Sequence, residues 1–221
     1  MTASTGTRIN LRPFATPLPI GLLALAVGSL VLCGIQLKWI GVAQTHVVAL
    51  CLLGFVVPVQ FVSFIFGVLC RDEGAASSMA LLFATWFAVG LSLLVSVPGT
   101  TSGAVGLLLV AAAGALLVPI IVAARTKPLM SVVILAAAAR FLLTGVYELG
   151  GGSGWQSAAG IDGLVVVGLA WYAAAAFAIE ANRRHAILPT LRGPGRSSPS
   201  MHATSDPIGP VAHDAGVRAQ L

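Results

Sequence analysis

Apolar residues occur along this chain in long unbroken runs, without the alternation that marks a half-buried strand. Six runs cover residues 18–37, 46–70, 76–97, 103–124, 128–149 and 159–182. Each has roughly the 20 residues that an α-helix needs to cross the hydrocarbon core of a membrane. No run alternates polar and apolar positions, as the strands of a membrane β-barrel do. The pattern predicts an all-α, polytopic membrane protein with six transmembrane helices.

Polar and helix-breaking residues separate the runs. Lys38 follows the first run, the charged residues 71–73 follow the second, and Pro98 follows the third. Four glycines within residues 150–154 follow the fifth run, and Pro128 opens it at a position where a missing N–H costs nothing. We therefore divide the chain into three parts. These are a cytoplasmic N-terminal segment (1–16), a membrane domain (17–184) and a cytoplasmic tail (185–221) whose composition predicts disorder.

Composition narrows the class of protein further. Hydrophobic residues make up 57% of the chain and charged residues 9%, against about 25% charged in soluble domains. A water-soluble fold is thereby excluded. The net charge of the chain is +5, but its basic residues are not interleaved with aromatic residues on which bases could stack. Nucleic-acid binding is therefore not expected. Cys33, Cys51 and Cys70 lie in or beside apolar runs and are expected to be core residues rather than disulfide partners.

The basic residues predict the orientation of the helices. With the N-terminus inside, ten of the twelve fall on the cytoplasmic side, as the positive-inside rule requires. The ten are Arg8, Arg12, Arg71, Arg125, Lys127, Arg183, Arg184, Arg192, Arg196 and Arg218. Both termini are therefore expected in the cytoplasm, and the protein in the cell membrane. Six helices also divide into two sets of three, which permits an inverted repeat of the kind found in transporters.

Polar residues inside the apolar runs are the candidates for function, since they are costly in a bilayer. Gln60 follows Pro58, which is expected to distort the helix, and its amide either coordinates a polar substrate or bonds another helix. Arg140 costs about 2.5–3.5 kcal/mol on insertion scales. It is either a fixed cation that attracts a carboxylate or one half of a clasp with Asp162. Trp86 and Tyr172 either line a path or fill helix contacts.

Motifs of the common enzyme and metal sites are absent. The chain has no Walker loop, HExxH, G-x-S-x-G or Cys/His ligand spacing. His185, His202 and His213 are too far apart to indicate a metal site. Neither an enzyme nor a cofactor is expected.

The order of these features resembles the acetate uptake transporter family, the YaaH-like group, from residue 15 to about residue 190. Short motifs at the two ends of the membrane domain and two single residues between them carry the resemblance. They are ATPLPIGL (15–22, for the family's NPAPLGL), Gln60, Trp86, AAGIDG (158–163, for AGxxG), AWYA (170–173) and ILP (187–189, for VLP). In this chain Thr16 replaces the family's opening Asn.

The resemblance implies a six-helix protein that takes up monocarboxylates such as acetate with protons and assembles as hexamers with a pore in each protomer. Gln60 is then the leading candidate for a contact with the substrate, and Thr16 is expected at the cytoplasmic mouth of the pore. Trp86 and Tyr172 are further candidate contacts. Arg140 has no counterpart in the family's pattern, and we expect it to attract the anion from outside because it is a fixed cation.

The resemblance also places an apolar constriction in the pore. In the family, two aromatic residues and one aliphatic residue form it. The aligned positions are Leu25, Leu82 and Ala136, so both rings are lost. The leading hypothesis is a small-carboxylate transporter or channel. The alternative is a non-transporting membrane scaffold that keeps the fold and the oligomer.

Overall fold

The computed structural model describes residues 16–183 and 188–191, and the side chains of residues 182 and 183 are not described. Nearly all of the N-terminal segment and of the tail lies outside these residues. The described chain has no strand, and six of its helices are long and apolar enough to cross a membrane, as predicted. They are α1 (Leu18–Gln36), α2 (Val42–Leu69), α3 (Glu73–Val95), α4 (Gly103–Ala123), α5 (Pro128–Glu148) and α6 (Ser153–Arg183).

The helices extend beyond the apolar runs at some ends. Helix α6 starts at Ser153, whereas the apolar pattern predicts a start at residue 159. Only Gly150 of the glycine-rich stretch 150–154 takes a left-handed conformation, with φ of 102°. The chain returns to helix three residues later because Ser, Gln and Gly are tolerated in a first helical turn. Apolarity marks the part of a helix inside the membrane and not the end of the helix itself.

Three helices end in the same way. Lys38, Arg71 and Gly150 have φ of 60°, 53° and 102°, and each is the second residue after the end of its helix, α1, α2 and α5 respectively. The next residue in each case donates its N–H back to a carbonyl five residues earlier, as Trp39 does to Gly34 at 2.8 Å. This is the Schellman arrangement, which satisfies carbonyls that a helix end leaves open.

Helix α2 departs from α geometry just before Pro58. Leu52–Val56 is π-helical, and regular α-helix resumes at Val57. Proline has no N–H to donate to the carbonyl four residues earlier, so the preceding turn is free to widen. The expected distortion is therefore present, one turn earlier than the proline itself. Regular helix then continues through Gln60, whose side chain is buried against α1.

The six helices close into a ring. Each of α1 to α5 packs against the next, and α6 returns to pack on α1. The most buried helices are α1 and α5, and their side chains meet inside the ring. The outer faces carry exposed large apolar residues, which suits contact with lipid. The candidate site therefore lies inside the ring, where buried polar side chains such as Gln60 and Arg140 make their hydrogen bonds.

The connections distinguish two ends of the ring. At the end we call proximal, Ser63 of α2 donates to the carbonyl of Pro17 at 2.9 Å. There the side chain of Lys127 also pairs with Asp72, which joins the α2–α3 and α4–α5 connections. At the opposite, distal end, Glu148 Oε2 accepts a hydrogen bond of 2.7 Å from the Ser102 N–H at the start of α4.

Candidate functional site

Helix α1 lines the ring interior, and its glycines set how closely other helices approach. A Cβ on Gly21 would collide with Met79 and would lie 2.5 Å from Ser63 Oγ. Seven residues on, a Cβ on Gly28 would lie 3.1 Å from Val56 and 3.3 Å from the Trp86 ring. These two glycines, about 10 Å apart along the helix axis, let α2 and α3 bring Gln60 and Trp86 against α1.

Gln60 occupies the proximal half of the interior. Its side chain is fully buried, and Nε2 donates to the carbonyl of Gly21 at 3.1 Å. Its other polar atom, Oε1, is buried without a hydrogen-bond partner. The interhelical bond that the sequence offered as one alternative is thus present, and an acceptor remains open beside it. Thr16 is half-buried at the proximal end, next to Pro17.

The middle of the ring is apolar. Leu25 and Leu82 are fully buried members of one hydrophobic cluster, and Ala136 packs against it half-buried. Trp86 and Phe141 belong to the same cluster. Their rings meet edge to face, with centroids 6.3 Å apart and an interplanar angle of 79°. An aromatic pair is therefore present at the centre of the ring, although the positions aligned with the family's constriction carry no rings.

Arg140 lies in the distal half of the interior and is only 1% exposed. Its side chain crosses from α5 to α1. Nη1 donates to Cys33 Sγ at 3.3 Å, and Nη2 donates to the Ser29 carbonyl at 3.3 Å and to Gln36 Oε1 at 3.0 Å. Gln36 Nε2 in turn donates a hydrogen bond to Thr144 Oγ1 at 3.2 Å. Every acceptor bonded to the guanidinium is neutral.

Helix α6 closes the distal site with its small residues. Cys33 Sγ donates to the carbonyl of Gly160 at 3.2 Å. A Cβ on Gly163 would overlap the Arg140 guanidinium and the Cys33 sulfur, so only glycine fits there. Gly160 also lets α6 pack closely on α1, because a Cβ there would collide with Leu37, whereas Gly163 leaves room for the guanidinium. Gly168 has no atom within 4 Å of such a Cβ and does not share this role.

The clasp between Arg140 and Asp162 is wrong for this structure. Asp162 directly precedes Gly163 on α6, but no ion pair joins its carboxyl group to Arg140. Its Oδ2 is buried without a hydrogen-bond partner. Arg140 also does not extend toward the membrane surface, because Ser29, Cys33 and Gln36 supply acceptors within reach across the ring.

Tyr172 is not brought together with the other candidates. Its side chain is 38% exposed on α6, and its hydroxyl donates to the Pro189 carbonyl at 2.8 Å. Trp171 is also exposed, whereas the neighbouring Ala170 and Ala173 are buried. The aromatic pair in the AWYA motif thus faces away from the interior, and alanines form the packed side of the helix. Thr16, Gln60, Trp86 and Arg140 remain as candidates that reach the proximal mouth or the interior.

Unpaired polar atoms occur at several levels of the interior. Beside Gln60 Oε1 they include Ser78 Oγ, Trp86 Nε1, Ser29 Oγ and Asp162 Oδ2. A buried polar atom without a partner costs about 1–3 kcal/mol. These atoms are therefore candidates for hydrogen bonds to a polar substrate or to water. In the described part of the chain, no group of three His, Cys, Asp or Glu side chains could hold a metal ion.

The partners of Arg140 were not predicted from the sequence. Ser29, Cys33 and Gln36 are spaced four and three residues apart, so one face of α1 carries all three. Thr144 stands one turn after Arg140 on α5. This spacing was available in the sequence. Cys33, expected to be a plain core residue, is buried but takes part in two polar contacts, and Cys51 is exposed on the outer face of α2.

Comparisons with known proteins agree with this fold. The family model of the GPR1/FUN34/yaaH family matches residues 2–194. The fold is similar to a solved structure described as the bacterial acetate channel SatP, with a TM-score of 0.70 and 14% sequence identity. That match covers 80% of this chain and 99% of the other. No curated protein sequence matches the chain.

Proposed function

Because the chain belongs to the GPR1/FUN34/yaaH family, we propose that it carries small monocarboxylates such as acetate across a membrane, as a transporter or channel. The polar interior of the ring supports this proposal most directly. Gln60 Oε1 and Trp86 Nε1 are buried and unpaired on either side of Leu25. A carboxyl group supplies both an acceptor and, when protonated, a donor, so it complements an amide oxygen and an indole N–H. Similarity to a bacterial acetate channel adds to this support.

Three details belong to the same proposal. Passage is linked to protons, because a neutral acid crosses an apolar layer at far lower cost than its anion. The chain assembles as a homo-oligomer, a hexamer by family resemblance, in the cell membrane. Both termini face the cytoplasm, which puts the proximal end, Thr16 and the Asp72–Lys127 pair on the inner side.

One observation favours the alternative of a non-transporting scaffold. Leu25 and Leu82 are both fully buried at the middle of the ring, in one cluster with Trp86. A carboxylate passes this layer only if the side chains separate. A scaffold needs no such opening, so a direct measurement of flux decides between the two functions.

The test is uptake of radiolabelled acetate into proteoliposomes that contain the purified protein, with and without an inward proton gradient. We expect uptake above that of protein-free vesicles, and faster uptake with the gradient. Equal uptake in the two kinds of vesicle would favour the scaffold. If acetate uptake is the same with and without the proton gradient, the protein is a channel or transporter whose flux is not linked to protons.

Gln60→Met identifies the contact within the same assay. The substitution conserves side-chain length while removing the amide, and we expect uptake to fall about tenfold, the effect of one lost hydrogen bond to substrate. Gln44→Met is the matched control, because Gln44 is exposed at the start of α2. Unchanged uptake in Gln60→Met would remove Gln60 from the path.

A further inference from the structure

The guanidinium of Arg140 is a buried charge whose hydrogen-bond acceptors are all neutral. Arginine stays protonated in proteins, so the charge is present at every relevant pH. Its bonded acceptors are a thiol, a main-chain carbonyl and an amide oxygen, from Cys33, Ser29 and Gln36. Neutral acceptors satisfy N–H groups but do not cancel the charge. The Asp162 carboxyl attracts the guanidinium electrostatically but forms no ion pair with it. Burying a charge that no ion pair neutralises is unfavourable. The arrangement therefore favours an anion that enters the site.

Ser29 provides a second, independent sign of a ligand. Its side chain is fully buried, and its Oγ has no hydrogen-bond partner. The residue lies on the face of α1 that carries Cys33 and Gln36, and its own carbonyl accepts from Arg140. A hydroxyl can donate, which is what an anion beside the guanidinium requires.

We propose that Arg140 and Ser29 form a binding subsite for a small carboxylate in its ionised form. The guanidinium has five N–H groups, and three of them bond to Cys33, Ser29 and Gln36. A carboxylate oxygen can accept one of the two that remain, and the Ser29 hydroxyl adds a second donor. Gln36 and Thr144 hold the guanidinium in place through their hydrogen bond. The inference rests on the proposed function for its substrate class. It adds that the distal half of the interior binds the anion, while Gln60 in the proximal half offers an open acceptor that suits the protonated acid.

Asp162 sets a further condition on the subsite. Its carboxyl group is the nearby negative charge on α6, without an ion pair to Arg140 and with Oδ2 unpaired. A carboxylate at Arg140 is repelled by it. Removing this charge should therefore strengthen binding of the anion, the opposite of the effect of removing Arg140. Opposite signs separate an electrostatic site from a general loss of packing.

The experiment measures thermal unfolding of the purified full-length protein in detergent against sodium acetate, with sodium chloride at equal ionic strength as reference. A ligand that binds only the folded state raises Tm, and the rise grows with the logarithm of its concentration once that exceeds Kd. We expect acetate to raise Tm more than chloride does. Arg140→Gln should weaken the apparent acetate affinity about 10- to 100-fold, as expected for a lost charged hydrogen bond, and Asp162→Asn should increase it.

Ser29→Ala keeps the test decisive if Arg140→Gln does not fold. The hydroxyl has no partner within the protein, so its removal breaks no internal hydrogen bond. We expect the fold to persist and the acetate affinity to fall about tenfold. Ser77→Ala, at an exposed position of α3, is the control and should bind acetate like the parent protein.

The outcomes are distinguishable from those of the flux assay. No acetate-specific rise in Tm of the parent protein, or an unchanged rise in both Arg140→Gln and Ser29→Ala, would overturn the subsite. Acetate flux without such binding would leave the proposed function standing and remove the subsite. Acetate-specific binding without flux would retain the subsite and favour the scaffold.

Discussion

Trp86 on α3 and Phe141 on α5 meet edge to face at the centre of the helix ring, with their centroids 6.3 Å apart. The indole also lies against α1 where Gly28 leaves room for it. Its ring is therefore held from two sides, while its Nε1 finds no acceptor. Rigid placement of an unpaired donor in a membrane interior is costly to the fold and suits a contact with a passing acceptor.

Trp86→Phe separates packing from hydrogen bonding at this position. The substitution keeps an aromatic ring against Phe141 and removes a donor that bonds nothing in the protein. We expect Tm to fall far less than in Trp86→Ala, which creates a cavity and costs about 3–5 kcal/mol. Acetate uptake should nevertheless fall about tenfold in Trp86→Phe.

Trp171→Phe is the control for Trp86→Phe, since the Trp171 side chain is 49% exposed on α6. Both Tm and uptake should match the parent protein. If Trp86→Phe transports at the parent rate, then Nε1 does not contact the substrate and Trp86 serves packing alone.

Two glycines of α6 should respond oppositely to alanine. At Gly163 a Cβ overlaps the Arg140 guanidinium and the Cys33 sulfur, so the distal network must shift. We expect Gly163→Ala to reduce the free energy of unfolding by about 1–3 kcal/mol. Gly168→Ala meets no atom within 4 Å and should be neutral or stabilising by up to about 1 kcal/mol through helix propensity. Thermal unfolding of the two variants side by side measures this difference, and equal Tm values would contradict the packing described for Arg140.

Asp72 has two roles at the proximal end, and they can be separated. Its Oδ1 accepts from the Ala75 N–H at 3.2 Å and caps α3, while Oδ2 pairs with Lys127. Lys127→Met removes the ion pair alone and should cost up to about 1 kcal/mol. Asp72→Ala removes the cap as well and should cost about 1 kcal/mol more.

The measurement for Asp72 is chemical unfolding in detergent at low and high salt. The stability lost in Lys127→Met, which removes the ion pair alone, should become smaller as salt is added. Arg125→Met is the control, because Arg125 is an exposed cation in the same connection. A loss in Arg125→Met as large as in Lys127→Met would indicate a general effect of charge and not the pair.

The helices of this protein could be predicted with little error, and their contacts could not. Apolar runs reproduce six helices because a membrane core demands continuous apolarity. Pro58 correctly indicated a distortion of α2. The start of α6 was predicted too late, because the glycine-rich stretch 150–154 was read as a connection although the helix begins within it, at Ser153. A helix start within polar residues has no strong signal in composition.

The candidate site was predicted in part. Gln60, Trp86 and Arg140 were singled out because polar or amphipathic residues within apolar runs are rare, and each is buried in the ring. Tyr172 shared that property and faces outward. The side of a helix that faces the interior depends on its neighbours, and α6 does not reveal that side because its apolar residues occur on all of its faces.

The sequence by itself determined that this chain crosses a membrane with six helices, since length and apolarity of each run are local properties. It also determined that Arg140 would need acceptors inside the bilayer, because a charge there is costly wherever it lies. Only the tertiary structure decided which acceptors these are. Closure of the ring brings α5 opposite α1 and places Cys33, Ser29 and Gln36, more than a hundred residues away in sequence, around the guanidinium in place of Asp162.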